Sequence, residues 1–69
     1  RYVKCKVPIK VGDVIRFTHI HRSSVDPVRF NPIYHEGTVT EIAKGRPNPY
    51  LVNYTMGWVS DDDITEVKR

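Results

Sequence analysis

A chain of 69 residues with 39% hydrophobic and 28% charged side chains has the composition of one small globular domain rather than a disordered tail. At this length a chain buries only about 60% of the surface that it exposes when unfolded, so we expect a small core in a single domain over residues 1–69. No apolar run approaches the roughly 20 residues of a membrane helix, and the net charge of +3 suits an anionic partner, either a cell-wall polymer or a nucleic acid, without selecting between them.

The beginning of the chain predicts two strands with a turn between them. Residues 2–7 alternate between apolar and polar side chains, which is typical of a half-buried strand. Gly12 and Asp13 then indicate a turn, because glycine frees the backbone and the aspartate side chain accepts from local amides. Val14 to Thr18 follows as a second strand, with Ile15 and Phe17 on the face that enters the core.

The segment from about His19 to Glu36 shows little periodicity and carries Pro27 and Pro32. We interpret it as a long irregular loop. Loops of this length in small domains usually have a function, so this segment is the first place to look for a binding surface.

The second half of the chain predicts short strands joined by tight turns. Gly or Pro interrupts most stretches that could form a helix. One helical turn is expected at 61–63, with the Ser60 side chain as its cap. The predicted strands are Gly37 to Ala43, Tyr50 to Tyr54, Trp58-Val59 and Ile64 to Val67. The chain as a whole therefore predicts an all-β fold: a small, partly open barrel of about five to six strands with one helical turn before the last strand.

Metal and cofactor sites are not indicated. His19 and His21 could offer two ligands from one strand face, but a zinc site needs a third or fourth ligand in fixed geometry, and no second pair at metal spacing accompanies them. We therefore expect solvated or hydrogen-bonded histidines, and neither a metal nor a cofactor. The acidic run at 61–63 lacks the alternating oxygen ligands of a calcium loop. The single cysteine, Cys5, excludes an internal disulfide.

Three strings and one pair of residues carry a resemblance to a known family. They are IKVGDVIRF (Ile9 to Phe17), the pair Ser23-Ser24, GTVTEIAKGRPNPYLV (Gly37 to Val52) and GWVSDDDI (Gly57 to Ile64). Together they resemble the Src-homology-3-like cell-wall-binding domain at the C-terminal end of clostridial and phage N-acetylmuramoyl-L-alanine amidases and related lysins. The combination of AKG with NPY is the more specific part, since Gly-Trp-Val alone is common in bacterial barrels.

The resemblance implies a Src-homology-3-like barrel that binds bacterial cell-wall peptidoglycan and performs no catalysis of its own. It implies a covalently linked catalytic domain, a lytic or phage-derived enzyme that the module targets to its substrate. It also implies an extracellular or cell-wall-associated location, or a cytoplasmic one before release in the case of a phage lysin.

The candidate ligand-binding residues come from the long loop and from the aromatic set. Aromatic faces suit sugars because sugar C–H groups pack on them while polar neighbours meet the hydroxyls. We expect these rings along a groove between the long loop and the turn before the last strands. The candidates are Ser23, Ser24, Asn31, Tyr34, Tyr50 and Trp58.

The chain departs from the family at two positions. Family members often have histidine where this chain has Asn48, and a second histidine after the tyrosine, where Leu51 follows Tyr50 directly. If those histidines grip the ligand, the specificity of this chain is altered. Residues 1–8 fall outside the match and are expected to pair as an added strand.

Two other classes of binding protein remain as alternatives, and an enzyme is disfavoured. A nucleic-acid-binding barrel pairs a basic stripe with exposed aromatic rings, whereas the basic residues of this chain are dispersed along the sequence. A protein-docking barrel takes an extended or proline-rich peptide in an aromatic groove. For catalysis, the sequence has neither a Gly-x-Ser-x-Gly elbow nor a phosphate-cradling glycine loop.

Overall fold

Apolar and polar side chains alternate along much of this chain, which favours β-strands. A computed structural model describes residues 1–4, 8–33 and 35–68. Its elements are β1 (Tyr2–Lys4), β2 (Val14–Phe17), β3 (Ile20–His21), β4 (Arg29–Phe30), β5 (Glu36–Ile42), β6 (Tyr50–Val52), β7 (Gly57–Val59), a 3-10 turn (Asp61–Asp63) and β8 (Ile64–Lys68). The prediction of a mostly-β fold with a helical turn before the last strand is confirmed.

All neighbouring strands are antiparallel and form one sheet in the order β1-β8-β2-β5-β6-β7-β3-β4. The sheet curls into an open half-barrel, with β1 and β4 at its two edges. The long strand β5 makes the curl possible. Its first half pairs with β2, its second half pairs with β6, and the register shifts between Val39 and Glu41 where it changes partners.

The concave side of the sheet holds a small apolar core. Ile15 and Phe17 are both buried, which confirms that they share the core face of β2. Because side chains alternate along a strand, the intervening Arg16 points outward. The buried apolar residues are Ile15, Phe17, Ile20, Val39, Val52, Val59, Ile64 and Val67.

The predicted count of five to six strands is wrong, because the described residues contain eight. The difference lies mainly in the long segment from His19 to Glu36, which was interpreted as irregular but contains β3 and β4. Each of these strands has two residues. A strand that short shows no alternation, so periodicity could not reveal it.

The other boundaries move by small amounts. β6 ends at Val52 rather than at Tyr54, because Asn53 and Tyr54 enter the turn with φ of +50° and +61°. The first strand is described as Tyr2–Lys4, and its predicted continuation over 5–7 lies outside the described residues.

The expected turn at Gly12 is confirmed, and the expected cap at Ser60 is corrected. Gly12 has φ of +99°, and the Asp13 carboxylate accepts from the backbone N–H of Lys10 at 2.9 Å. Ser60 does stand at the start of the 3-10 turn, but its side chain caps no backbone amide. Its hydroxyl instead donates to the carboxylate of Asp63 at 2.9 Å.

Gly57 lets β7 lie close to β3. Its φ is +149°, and a Cβ at this position would lie 2.6 Å from the carbonyl oxygen of His21. This glycine therefore admits the backbone of β3. Gly45 offers a comparison, since its φ is +84° and a Cβ there would meet nothing within 4 Å.

We predict that Gly57→Ala destabilises the domain much more than Gly45→Ala. Alanine at Gly45 suffers only the unfavourable backbone conformation, about 1 kcal/mol. Alanine at Gly57 adds a steric overlap, for a total of about 3 kcal/mol. Urea denaturation of both variants measures the difference. Equal losses in the free energy of unfolding would show that β7 and β3 can move apart at no energetic cost.

Candidate functional site

A buried histidine–aspartate pair connects β3 to the 3-10 turn. Nε2 of His21 lies 2.7 Å from Oδ2 of Asp63, and Nδ1 of the same ring lies 3.0 Å from the carbonyl oxygen of Asp26. His21 is only 3% exposed and Asp63 only 1%. The contact therefore joins two segments 42 positions apart in the sequence, away from water.

The partner atoms determine where the hydrogens of the ring must be. A carbonyl oxygen can only accept, so Nδ1 carries a hydrogen that it donates to Asp26. An ionised carboxylate can also only accept, so Nε2 donates to Asp63 whenever that carboxyl group is ionised. Both ring nitrogens of His21 are therefore engaged with oxygens of the protein.

The carboxylate of Asp63 collects further favourable contacts. The Ser60 hydroxyl donates to it at 2.9 Å, and the Arg29 guanidinium lies 3.7 Å from its other oxygen. Burial by itself raises the pKa of the Asp63 carboxyl. The hydrogen bonds from His21 and Ser60, together with the charge of Arg29, outweigh burial and hold that pKa below its ordinary value of 3.8.

Asn48 holds the same loop from a second direction. The buried Asn48 side chain donates from Nδ2 to the carbonyl oxygens of Ser23, at 3.0 Å, and of Asp26, at 2.9 Å. Its backbone N–H donates to the carbonyl oxygen of Ser24 at 2.8 Å. Asn48 was predicted to matter as a departure from a ligand-gripping histidine. In this chain its amide is used to anchor the turn at 23–26.

The predicted loop serines lie in this anchored turn. The Ser23 hydroxyl accepts from the backbone N–H of Asp26 at 3.0 Å, so it stabilises the turn itself. Ser23 and Ser24 are both half-buried, and their carbonyl oxygens are the groups that Asn48 binds. Asn31 lies exposed beyond β4, and Tyr34 lies outside the described residues.

Trp58 occupies the outer face of the sheet beside the same turn. It stands between the buried residues Gly57 and Val59, so alternation along β7 places it on the outer side. Its cross-strand neighbours are Leu51 and His21. Since His21 binds the carbonyl of Asp26, Trp58 and the 23–26 turn are brought to one region of the surface.

Tyr50 belongs to a separate recess, which we call the Tyr50 pocket. The Tyr50 hydroxyl donates to the Asp61 carboxylate at 2.8 Å, and Lys44 and Arg46 lie on the pocket wall. The pocket has a volume of about 360 Å³. Its lining residues are Pro8, Ile9, Ile42, Lys44, Gly45, Arg46, Pro49, Tyr50 and Asp61.

A second recess, which we call the apolar groove, lies between the later part of the long segment and the turn before β7. Its volume is about 450 Å³. A groove was expected in this position, but none of the five candidate residues that the structure describes lines it. Its lining residues are Ile20, His21, Arg22, Phe30, Pro32, Ile33 and Met56.

The described residues show no group of three or more His, Cys, Asp and Glu side chains arranged to hold a metal ion. His19 does approach Asp63, at 3.9 Å, but His21 beside it already uses both ring nitrogens. No helix in the described part of the chain is long and apolar enough to span a membrane.

Three residues organise this region: His21, Asp63 and Asn48. The sequence predicted only that the histidines are solvated or hydrogen-bonded and that Asn48 departs from the family. The acidic run at 61–63 was interpreted as a capped helical turn, which did not indicate that Asp63 is buried. One signal was present, because isoleucine follows the run and places its last aspartate next to a core position. The partner of that aspartate, far away in the sequence, could not be identified without the fold.

Comparison with known proteins gives no relative for this chain. No family model, no curated protein and no solved structure matches it.

We predict that the Asp63 contacts make the free energy of unfolding decrease at acidic pH. Because the pKa of Asp63 is lowered in the fold, its contribution is present above the unfolded pKa and is lost as the pH falls through the folded pKa. Asp63→Asn should lower the free energy of unfolding by about 3 kcal/mol at neutral pH. The difference from the wild type should shrink below about pH 4.

Urea denaturation across this pH range measures the effect, with Asp62→Asn as the matched control. Asp62 is exposed, so its variant should match the wild type at every pH. A difference for Asp63→Asn that stays constant in acid would contradict the charged pair.

Proposed function

We propose that this chain is a non-catalytic binding module of the Src-homology-3-like kind and that its ligand is bacterial cell-wall peptidoglycan. The central strands run in the order β8-β2-β5-β6-β7, a long connection follows β2, and a 3-10 turn precedes β8. This layout agrees with the expected barrel. The additional strands β1, β3 and β4 extend the sheet at its two ends.

The observation that carries the proposal is the chemistry of the Tyr50 pocket. Peptidoglycan offers sugar C–H faces and short peptides that bear carboxylates, amides and amino groups. The Tyr50 ring provides an apolar surface for such groups. Lys44 and Arg46 provide cations for a carboxylate, and Asp61 provides an acceptor for an amino or hydroxyl group.

The family resemblance and the pocket coincide. The most specific string of the resemblance, AKGRPNPY at 43–50, supplies most of one wall of the pocket. The same string contains Asn48, which binds the turn at 23–26. A polymer that extends from the pocket along residues 43–50 would therefore reach Ser23 and Ser24. In this way candidate residues that lie apart could bind one extended ligand.

The arrangement of the buried polar residues supports a non-catalytic role. Ser60, Asp63 and His21 are of the types found in hydrolases, but here the serine hydroxyl donates to Asp63 rather than to the histidine. His21 is buried, and its ring nitrogens lie 2.7 and 3.0 Å from protein oxygens. No base in this group is free to activate the serine.

The module would act by targeting. Modest affinity for the wall holds a covalently linked lytic or phage-derived enzyme near its polymeric substrate and so raises its effective concentration. In this proposal the module works outside the cell or in the cell wall, and a phage lysin would carry it in the cytoplasm before release.

We predict that the chain co-sediments with purified Gram-positive sacculi and that Arg46→Glu weakens this binding about tenfold, or ~1.4 kcal/mol. The matched control is Lys68→Glu, which makes the same change of charge at an exposed residue of β8, outside the pocket. It should bind like the wild type. Equal weakening by both variants would point to general charge attraction instead of the pocket.

The nucleic-acid alternative is tested in the same assay. Binding through phosphates falls steeply as salt rises because it is driven by counterion release. Sedimentation with sacculi should persist at moderate salt. Salt-sensitive binding to DNA or RNA without binding to sacculi would contradict the proposal.

A further inference from the structure

The apolar groove shares no lining residue with the Tyr50 pocket. We propose that it is a second binding site, which takes an extended acidic peptide as an added strand on β4, with one apolar side chain of that peptide in the groove. This inference goes beyond peptidoglycan binding and does not depend on it.

The groove exposes apolar surface that a small domain would otherwise bury. Ile33 is 94% exposed and Met56 is 38% exposed, and both lie on the rim. Phe30, which packs partly against the core, contributes an aromatic side chain to the lining. Contiguous apolar surface of this kind marks interaction sites in soluble domains.

The backbone beside the groove favours an extended partner. β4 is the last strand in the sheet order, and within the described residues it pairs on one side only, with β3. An unpaired edge offers N–H and C=O groups to an added strand. Since Phe30 lies both on this edge and in the groove lining, a strand added to β4 would place its side chains over the groove.

The positive charges at the groove and on the edge strand favour an acidic partner. The Arg22 guanidinium lies over the Phe30 ring, 4.7 Å from its centre, and is exposed. Arg29 stands on the edge strand with half of its side chain exposed. Within the described part of the chain, the groove lining contains neither aspartate nor glutamate. A carboxylate of a bound peptide can therefore pair with Arg22 in the lining, while Arg29, whose guanidinium lies 3.7 Å from Asp63, adds positive charge on the same edge strand.

The same charges argue against a second copy of this chain as the occupant. Two grooves facing each other across a two-fold axis would bring Arg22 and Arg29 of one copy toward the same residues of the other. Like charges placed opposite each other oppose association. With a net charge of +3 per chain, no excess of acidic residues compensates.

The test uses two fluorescent short peptides, one that alternates glutamate with valine and one that alternates lysine with valine. Fluorescence anisotropy should show the acidic peptide binding at least about tenfold more tightly. Amide shifts in NMR spectra should change at 29–31. Arg22→Glu and Ile33→Asp should each weaken acidic-peptide binding by about tenfold, and both substituted residues are exposed, so the fold should tolerate the changes.

The control is Arg46→Glu in the Tyr50 pocket, which should bind the acidic peptide like the wild type. Conversely, Arg22→Glu should still bind sacculi, so the two proposed sites can fail independently. The proposal is overturned if neither peptide binds, if both bind equally, or if the shifts centre on the Tyr50 pocket. It is also overturned if sedimentation shows that the groove is covered in a dimer of this chain.

Discussion

The buried contact between His21 and Asp63 is the constraint on which the rest of this structure depends. Removing two ionisable groups from water is costly unless each finds its partners. Here the ring donates to Asp63 and to the Asp26 carbonyl, and the carboxylate also accepts from Ser60. These contacts join the long segment after β2 to the 3-10 turn before β8.

These polar contacts position residues that line or adjoin both recesses of the surface. His21 sits in the two-residue strand β3 and also lines the apolar groove, so the groove takes its shape where the ring is anchored. Asn48 binds the turn at 23–26 and stands next to Pro49 in the wall of the Tyr50 pocket. The described part of the chain buries eight apolar residues, which is a small core for holding an 18-residue connection. In this chain the hydrogen bonds of His21, Asp63 and Asn48 also hold the connection in place.

The sequence predicts the barrel strands better than it predicts the surface. Alternation identifies the core face of β2, and Gly12 with Asp13 identifies the turn before it, because both signals are local. The strands β3 and β4 are not predicted because two residues are too few to show the alternation of a strand. The anchoring roles of Asp63 and Asn48 are not predicted for another reason: each role exists only because a residue far away in the chain supplies the matching donor or acceptor. Tyr50 and Trp58 were predicted as one aromatic groove, and the structure places them in different parts of the surface.

The central claim is that the buried His21, bound through both of its ring nitrogens, fastens the long segment to the 3-10 turn before β8. Long-range proton–nitrogen NMR spectra of the ring test it most directly, with the exposed His35 as an internal reference. We expect a hydrogen on Nδ1 of His21, donated to the Asp26 carbonyl, and its exchange with water should be far slower than that of the ring hydrogens of His35. A His21 ring that lacks a hydrogen on Nδ1, or whose Nδ1 hydrogen exchanges as fast as the ring hydrogens of His35, would contradict the account.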